Sequence, residues 1–317
     1  MSRKFDPVAV GSESEPLFGV INLNKPNGLT SRDVVNVVQR LVRPAKAGHA
    51  GTLDPLATGV LLVCVGKATR LIPILQAAPK TYKAEFQLGR SSDTDDSTGE
   101  VCIHQLTTPP ADLASIEAAL KQFVGEIQQV PPQFSAVKVN GRRAYQKARA
   151  GQQVELSART VVVHEIRILS YEWPRLSLEI VCGSGTYIRS IARDLGESLN
   201  CGGLMSALVR TRIGKFDIAD GLGPDDITSE NLDEIIVDPI HVVDKMTQYR
   251  CSLAEQAEVR TGRAFTARES SIVRGVEGEA TVALTNADGT RLLGMAVPRG
   301  ELIQPRQVFV QHASGYE

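Results

Sequence analysis

The stretch Gly48-His49-Ala50-Gly51-Thr52-Leu53-Asp54-Pro55-Leu56-Ala57-Thr58-Gly59 sets one carboxylate among small, turn-forming residues, directly before the apolar run Val60 to Val65. Gly51 and Gly59 permit unusual dihedrals and close backbone approach, and Pro55 steers Asp54 out of helical geometry. The segment therefore reads as an irregular loop that presents Asp54, anchored by a buried strand over 60–65. Asp before Pro is also a common turn, so these residues alone leave Asp54 as either a turn former or a reactive group.

Upstream, Phe18 to Leu23 reads as a strand ended by the turn signal Asn24-Lys25-Pro26-Asn27-Gly28. A helix follows, capped by Thr30 or Ser31, with Val34, Val35, Val37, Val38, Leu41 and Val42 on its apolar face and Pro44 as its stop. Downstream, a short helix is expected over Ala68 to Gln76, and Thr81 to Leu88 alternates as a strand. Asp93 to Glu100 is read as an acidic turn. A calcium loop would need glycine where Thr98 stands, and a phosphotransferase aspartate would follow its strand without the intervening Gly89-Arg90-Ser91-Ser92.

Beyond it the pattern predicts a helix over Asp112 to Val124, an extended segment from Gln129 to Val139 and a basic helix from Arg142 to Ala150. Thr160 to Tyr171 and Arg175 to Cys182 read as paired strands. The turn Gly183-Ser184-Gly185-Thr186 then opens a helix, Tyr187 to Leu199, with Arg189 and Arg193 in its first two turns. Past residues 246–250 the chain turns to short alternating segments around Asn286-Ala287-Asp288-Gly289, the mark of a small all-β unit.

The 317 residues, 42% of them apolar, are enough for two domains with real cores. No apolar run approaches the roughly 20 residues of a membrane span, and Met1 to Pro16 lacks a signal-peptide hydrophobic region, so a soluble, cytoplasmic protein is expected. Five scattered cysteines without a Cys-x-x-Cys pair and five dispersed histidines indicate neither a disulfide framework nor a metal cluster, and the expectation is a protein without metal or cofactor. The net charge of −1 gives no global footprint for nucleic acid. Its distribution says more: Lys138, Arg142, Arg143, Lys147 and Arg149 form a basic run, and Arg40, Arg43, Lys46, Lys67 and Arg70 flank the Asp54 loop. An acidic stretch from Asp217 to Asp244 offsets them.

The loop around Gly51-Thr52-Leu53-Asp54-Pro55 resembles the signature of the TruB family of tRNA pseudouridine synthases almost letter for letter, and the resemblance is dense over 18–90 and resumes at 129–149 and 183–214. It implies an α+β fold, a mixed, mainly antiparallel sheet flanked by helices. The division it implies is a segment 1–17, a catalytic domain 18–247 and a small β-rich PUA-like RNA-binding domain 248–312. It implies isomerisation of uridine 55 in the T-loop of tRNA to pseudouridine by base flipping, with no cofactor, no membrane and no obligate protein partner, in a monomer.

By the same resemblance Asp54 is the catalytic residue, Arg189 the arginine that keeps it ionised, and Tyr82 the ring that stacks on the uracil and moves its C5 proton. His49, Tyr187 and Leu208 would hold the flipped nucleotide, and Lys25, Arg70, Lys138, Arg142 and Arg143 would meet RNA phosphates. Read without the resemblance, Tyr82 is an ordinary strand tyrosine and Arg189 a surface arginine. Attack by Asp54 on C1′, attack on C6 and assistance to loss of a ribose proton stay open. An RNA-binding or RNA-folding protein without chemistry is the alternative class, but it would not need Asp54, Tyr82 and Arg189 together.

Overall fold

The computed structural model describes residues 17–106, 109–135, 138–139, 142–143, 156–273 and 280–310. Strand β1 (Gly19–Lys25) pairs antiparallel with β2 (Thr58–Val65). Helix α1 (Ser31–Leu41) lies between them in sequence. Thr30, not Ser31, is its cap: the Thr30 hydroxyl accepts from the Asp33 N–H and the Asp33 carboxylate accepts from the Thr30 N–H, filling donors that a bare helix start leaves open. Val34, Val35 and Val38 pack on Ile21, Leu23, Leu61 and Val63, while Val20, Val60, Leu62 and Cys64 fill a second cluster on the other face. Burial on both faces is why 60–65 is an unbroken apolar run rather than an alternating one.

The main sheet adds β3 (Lys80–Leu88), β4 (Gly125–Gln129), β5 (Arg159–Glu172), β6 (Arg175–Cys182) and β7 (Gly203–Ile213), in the order β1-β2-β7-β3-β6-β5-β4. Along this path every pairing is antiparallel except β2 with β7, which is parallel with Arg210 opposite Gly59. Strand β3 alternates strictly: Lys80, Tyr82, Ala84, Phe86 and Leu88 are buried and Lys83 and Glu85 exposed. Helices α2 (Leu113–Leu120) and α3 (Ile188–Ser198) cover that inner face, with Ile116, Ile191 and Leu195 in one core with Phe86, Leu178 and Ile180. The mixed α+β architecture expected from the sequence is the one observed.

A separate sheet contains β8 (Gln248–Arg250), β9 (Val282–Thr285), β10 (Leu292–Arg299) and β11 (Leu302–Val308), with helix α4 (Leu253–Thr261) against it. This helix escapes the sequence reading, although Ser252 and Glu255 form a capping box and Gly262 ends it in the left-handed region. The two sheets meet where Phe18 and Phe309 stack at 5.2 Å and the Lys67 ammonium donates to the Phe309 carbonyl at 2.9 Å.

The expected basic helix from Arg142 is not what forms there. Arg142–Arg143 pairs as a strand with Lys138–Val139, because the two residues between them, Asn140-Gly141, are the strongest short hairpin signal and override helical propensity. The remainder, 144–150, lies outside the described residues. The helix expected over 68–76 begins instead as a 3-10 turn, Gly66–Leu71, followed by one short helix, Ile72–Ala77. Among the described residues no helix is long and apolar enough to cross a membrane.

Candidate active site

The Asp54 loop is held by side chains that grip its backbone almost residue by residue. Ser31 on α1 accepts from the Leu53 N–H at 2.8 Å and donates to the Leu53 carbonyl at 3.0 Å. Arg210 on β7 donates to the carbonyls of Gly51 (3.1 Å), Thr52 (3.4 Å) and Val60 (2.7 Å). Lys25, at the end of β1, donates to the carbonyls of Pro26 (2.9 Å), Leu29 (2.6 Å) and Pro55 (3.3 Å). An irregular loop has no ladder to satisfy its carbonyls, so buried donors must do it. Gly59 makes the close crossing possible: its φ is +99° and a Cβ there would run into the Arg210 carbonyl.

This overturns the expectation that Lys25 contacts RNA. Its side chain is wholly buried and its ammonium is spent on the loop; burial brings its pKa down to about 8, against the pull of Asp54. Nothing at the level of one sequence distinguishes a loop-holding lysine from a phosphate-binding one.

Asp54 faces a cavity of about 330 Å³, near the small end of the range for ligand sites, roughly 300–1,000 Å³. Its side chain keeps 38% of its surface open, whereas Arg189 keeps 5%. Arg189 Nη2 lies 3.0 Å from Asp54 Oδ2 and Nη1 lies 3.6 Å from Asp96 Oδ2; the same guanidinium donates to the carbonyls of Thr94 (2.9 Å) and Phe134 (3.0 Å). It is a buried arginine at the start of α3, so the surface reading of Arg189 fails. Burial raises the pKa of Asp54 above the ordinary carboxylate range; Arg189 opposes this and Asp96 adds to it. Arg189 therefore moderates the rise but does not cancel it, a weaker role than the one expected.

The acidic turn takes shape as expected, but two of its carboxylates are structural rather than solvated. Asp96 is 4% exposed and accepts from Thr94, the Thr98 hydroxyl and the Thr98 N–H, while Asp95 pairs with Arg193 at 2.8 Å. Two arginines one helical turn apart on α3 thus clamp the turn beneath the site. The alternation of acids there carries no sign of this; only the fold brings 94–96 to α3.

Tyr82 lines the same cavity from β3, 8% exposed, with its pKa raised by burial against the influence of Arg210. Tyr187 and Leu208 also line it. Gln129 fixes the start of α3 by accepting from the Tyr187 N–H (2.7 Å) and donating to its carbonyl (3.0 Å). Lys80 and Arg210 complete the polar wall, and neither was singled out from sequence.

Other expected residues stand apart. His49 pairs opposite Val63 at the sheet edge and does not border this cavity. Arg70 lies in the turn Gly66–Leu71 that follows the far end of β2, does not border this cavity, and its guanidinium reaches the Val308 carbonyl at 3.4 Å. With Lys46, Lys67 and Arg291 it borders a second cavity of about 400 Å³ between the two sheets. The side chains of Lys138, Arg142 and Arg143 lie outside the described residues.

Sequence comparison identifies the family. Residues 39–188 match the description "TruB family pseudouridylate synthase (N terminal domain)" and residues 189–239 match "tRNA pseudouridylate synthase B C-terminal domain". The chain is 39% identical over 93% of its length to the tRNA pseudouridine synthase B of Xanthomonas campestris pv. campestris (strain 8004), covering 94% of that relative. It is 52% identical over 65% of its length to the protein of the same name from Cereibacter sphaeroides, covering 68% of it. Among solved structures, it superposes with a TM-score of 0.71 at 27% identity on a chain from the "Crystal Structure of a Cbf5-Nop10-Gar1 Complex", covering 93% of this chain and 85% of that one. With two family descriptions that together match more than half its length and relatives of near-complete coverage, this chain belongs to the TruB family of pseudouridylate synthases, and is an isomerase.

Proposed function

We propose that the protein converts uridine 55 in the T-loop of tRNA to pseudouridine, with Asp54 as the residue that starts the reaction. The observation that supports it most is a half-open carboxylate at the base of a nucleotide-sized cavity, backed by a buried arginine and walled by a tyrosine. The reaction breaks the bond from C1′ to N1, forms one from C1′ to C5, releases the C5 proton and protonates N1. It is an isomerisation, so no group passes to water and one carboxylate suffices where a glycosidase uses two.

Asp54 acts ionised, whether on C1′, on C6 or on a ribose proton. Tyr82 offers a ring face to the flipped base, and such stacking is worth roughly 1–3 kcal/mol. Tyr187 and Leu208 border the place the base would occupy, and His49 serves the flanking T-loop nucleotides from the sheet edge. Arg70, the basic hairpin Lys138–Arg143 and a PUA-like unit over 248–312 extend the RNA surface. The protein works alone, as a monomer in the cytoplasm.

Pseudouridine mapping on tRNA transcripts incubated with the pure protein tests this. Product confined to position 55 and lost in Asp54→Asn, with tRNA still bound, supports the reading; wild-type rate in that variant removes it.

A further inference from the structure

We propose that Lys80 is a further cation of the catalytic site, contacting the pyrimidine and stabilising the negative charge it carries while detached from ribose. The assignment rests on the pseudouridine reading above.

Among the described residues four cationic side chains surround the cavity or its loop, and three are accounted for. Arg189 faces Asp54 and Asp96, Arg210 holds three carbonyls and Lys25 another three. Lys80 differs. It is 6% exposed and lines the cavity, yet its ammonium has one hydrogen-bond acceptor, the Gln76 carbonyl, and no carboxylate within 4 Å among the described residues. An ammonium carries three donors, so among the described residues two have no protein acceptor. Burying a cation this poorly compensated is unfavourable, and an apolar side chain would fill the same space without that penalty.

Its position fits a base contact. Lys80 and Tyr82 stand two residues apart on one face of β3, about 7 Å along the strand, so a ring stacked on Tyr82 has its edge within a lysine's reach. The titratable groups packed around it are Arg210 on β7, opposite Tyr82 in register, and the Cys182 thiol on β6, directly opposite Lys80. Burial first, then Arg210, brings the Lys80 pKa down to about 8, with Cys182 pulling the other way, so the ammonium is mostly protonated at neutral pH.

In each route open to Asp54 the electron pair of the C1′–N1 bond leaves with the base and spreads over N1 and O2, and over O4 as well where the C5–C6 double bond is intact. It is used again when C5 attacks C1′, and the C5 proton departs as N1 is protonated. A fixed donor aimed where that charge develops lowers the barrier without tightening ground-state binding.

The test is single-turnover pseudouridine formation in a tRNA transcript, with Kd measured alongside, for wild type, Lys80→Gln, Lys80→Met and Lys80→Arg, each checked by thermal melting. Expected are rate losses of about 10²–10³-fold in Lys80→Gln and Lys80→Met, with Kd within about twofold. The wild-type rate should fall as pH rises through about 8, and Lys80→Arg should keep its plateau to higher pH. Weakened Kd with an intact rate would make Lys80 a backbone contact and overturn the assignment, as would unchanged values throughout. If the wild type makes no pseudouridine, the function proposed above falls instead.

Discussion

Arg189 stands between two carboxylates, 3.0 Å from that of Asp54 and 3.6 Å from that of Asp96, and only the first opens to the cavity. The guanidinium is locked by the Thr94 and Phe134 carbonyls, so its charge is fixed in place before any substrate arrives. Such preorganisation is what makes a buried charge useful to catalysis.

The pH dependence follows from this pairing. Asp54 has a raised pKa, and on the proposed function it acts ionised, so the rate should be lost as pH falls through that value. Arg189 pulls the value down; Arg189→Gln therefore moves the acid limb to higher pH and lowers the rate at neutral pH by roughly 10²–10³-fold, since one partner of a buried pair is gone. A pH–rate profile of the variant checks both, and an unmoved limb would remove Arg189's electrostatic role.

Ser31→Ala strips the Leu53 N–H and carbonyl of their side-chain partner in a buried setting. We expect a loss of about 1–3 kcal/mol in stability, together with a fall in kcat larger than any change in KM, because the loop carrying Asp54 loosens. Chemical denaturation and steady-state kinetics on the same preparation measure the two.

Gly59→Ala combines a φ of +99° with a Cβ driven into the Arg210 carbonyl at the parallel junction of β2 and β7. Destabilisation of about 3 kcal/mol or more is expected. Gly28→Ala, where φ is +87° but nothing crowds the Cβ, should lose clearly less; equal melting temperatures would refute the crowding argument.

In the second sheet, burial pushes the Glu255 carboxyl up, but hydrogen bonds from Arg268, the Ser252 N–H and Tyr249 outweigh it and bring the pKa down to about 2. A depressed carboxyl contributes stability that is present above its unfolded value, near 4.5, and is lost as pH falls toward 2. Glu255→Gln should remove about 1–2 kcal/mol at neutral pH and flatten the acid dependence below pH 4.5. Hydrogen exchange of α4 as a function of pH reads this directly.

Much of the fold is legible where one local signal dominates. The unbroken 60–65 run marks a strand buried on both faces, the alternation of 81–88 marks a strand with one, and Thr30 with Asp33 marks a helix start. The basic helix expected from Arg142 does not start there, since Arg142–Arg143 pairs as a strand across the hairpin signal Asn140-Gly141, and 144–150 lies outside the described residues. Helix α4 escapes because its apolar face is weak, with Val259 its one buried apolar side chain, so the capping box of Ser252 and Glu255 has no strong helical period beside it.

The sequence by itself determined the family and pointed, through the loop that carries it, to Asp54, a carboxylate that lines the candidate site. That information is local: glycines, a proline and an aspartate within twelve residues restrict the backbone on their own. Tertiary structure decided what stands around Asp54. Lys25 became a loop anchor, Arg210 a clamp, Asp96 a second partner for Arg189, and Lys80 a poorly compensated cation on the Tyr82 face. Those roles depend on which buried carbonyls and charges lie within about 3 Å across separations of tens to more than a hundred residues, and such distances are set only when the sheet closes.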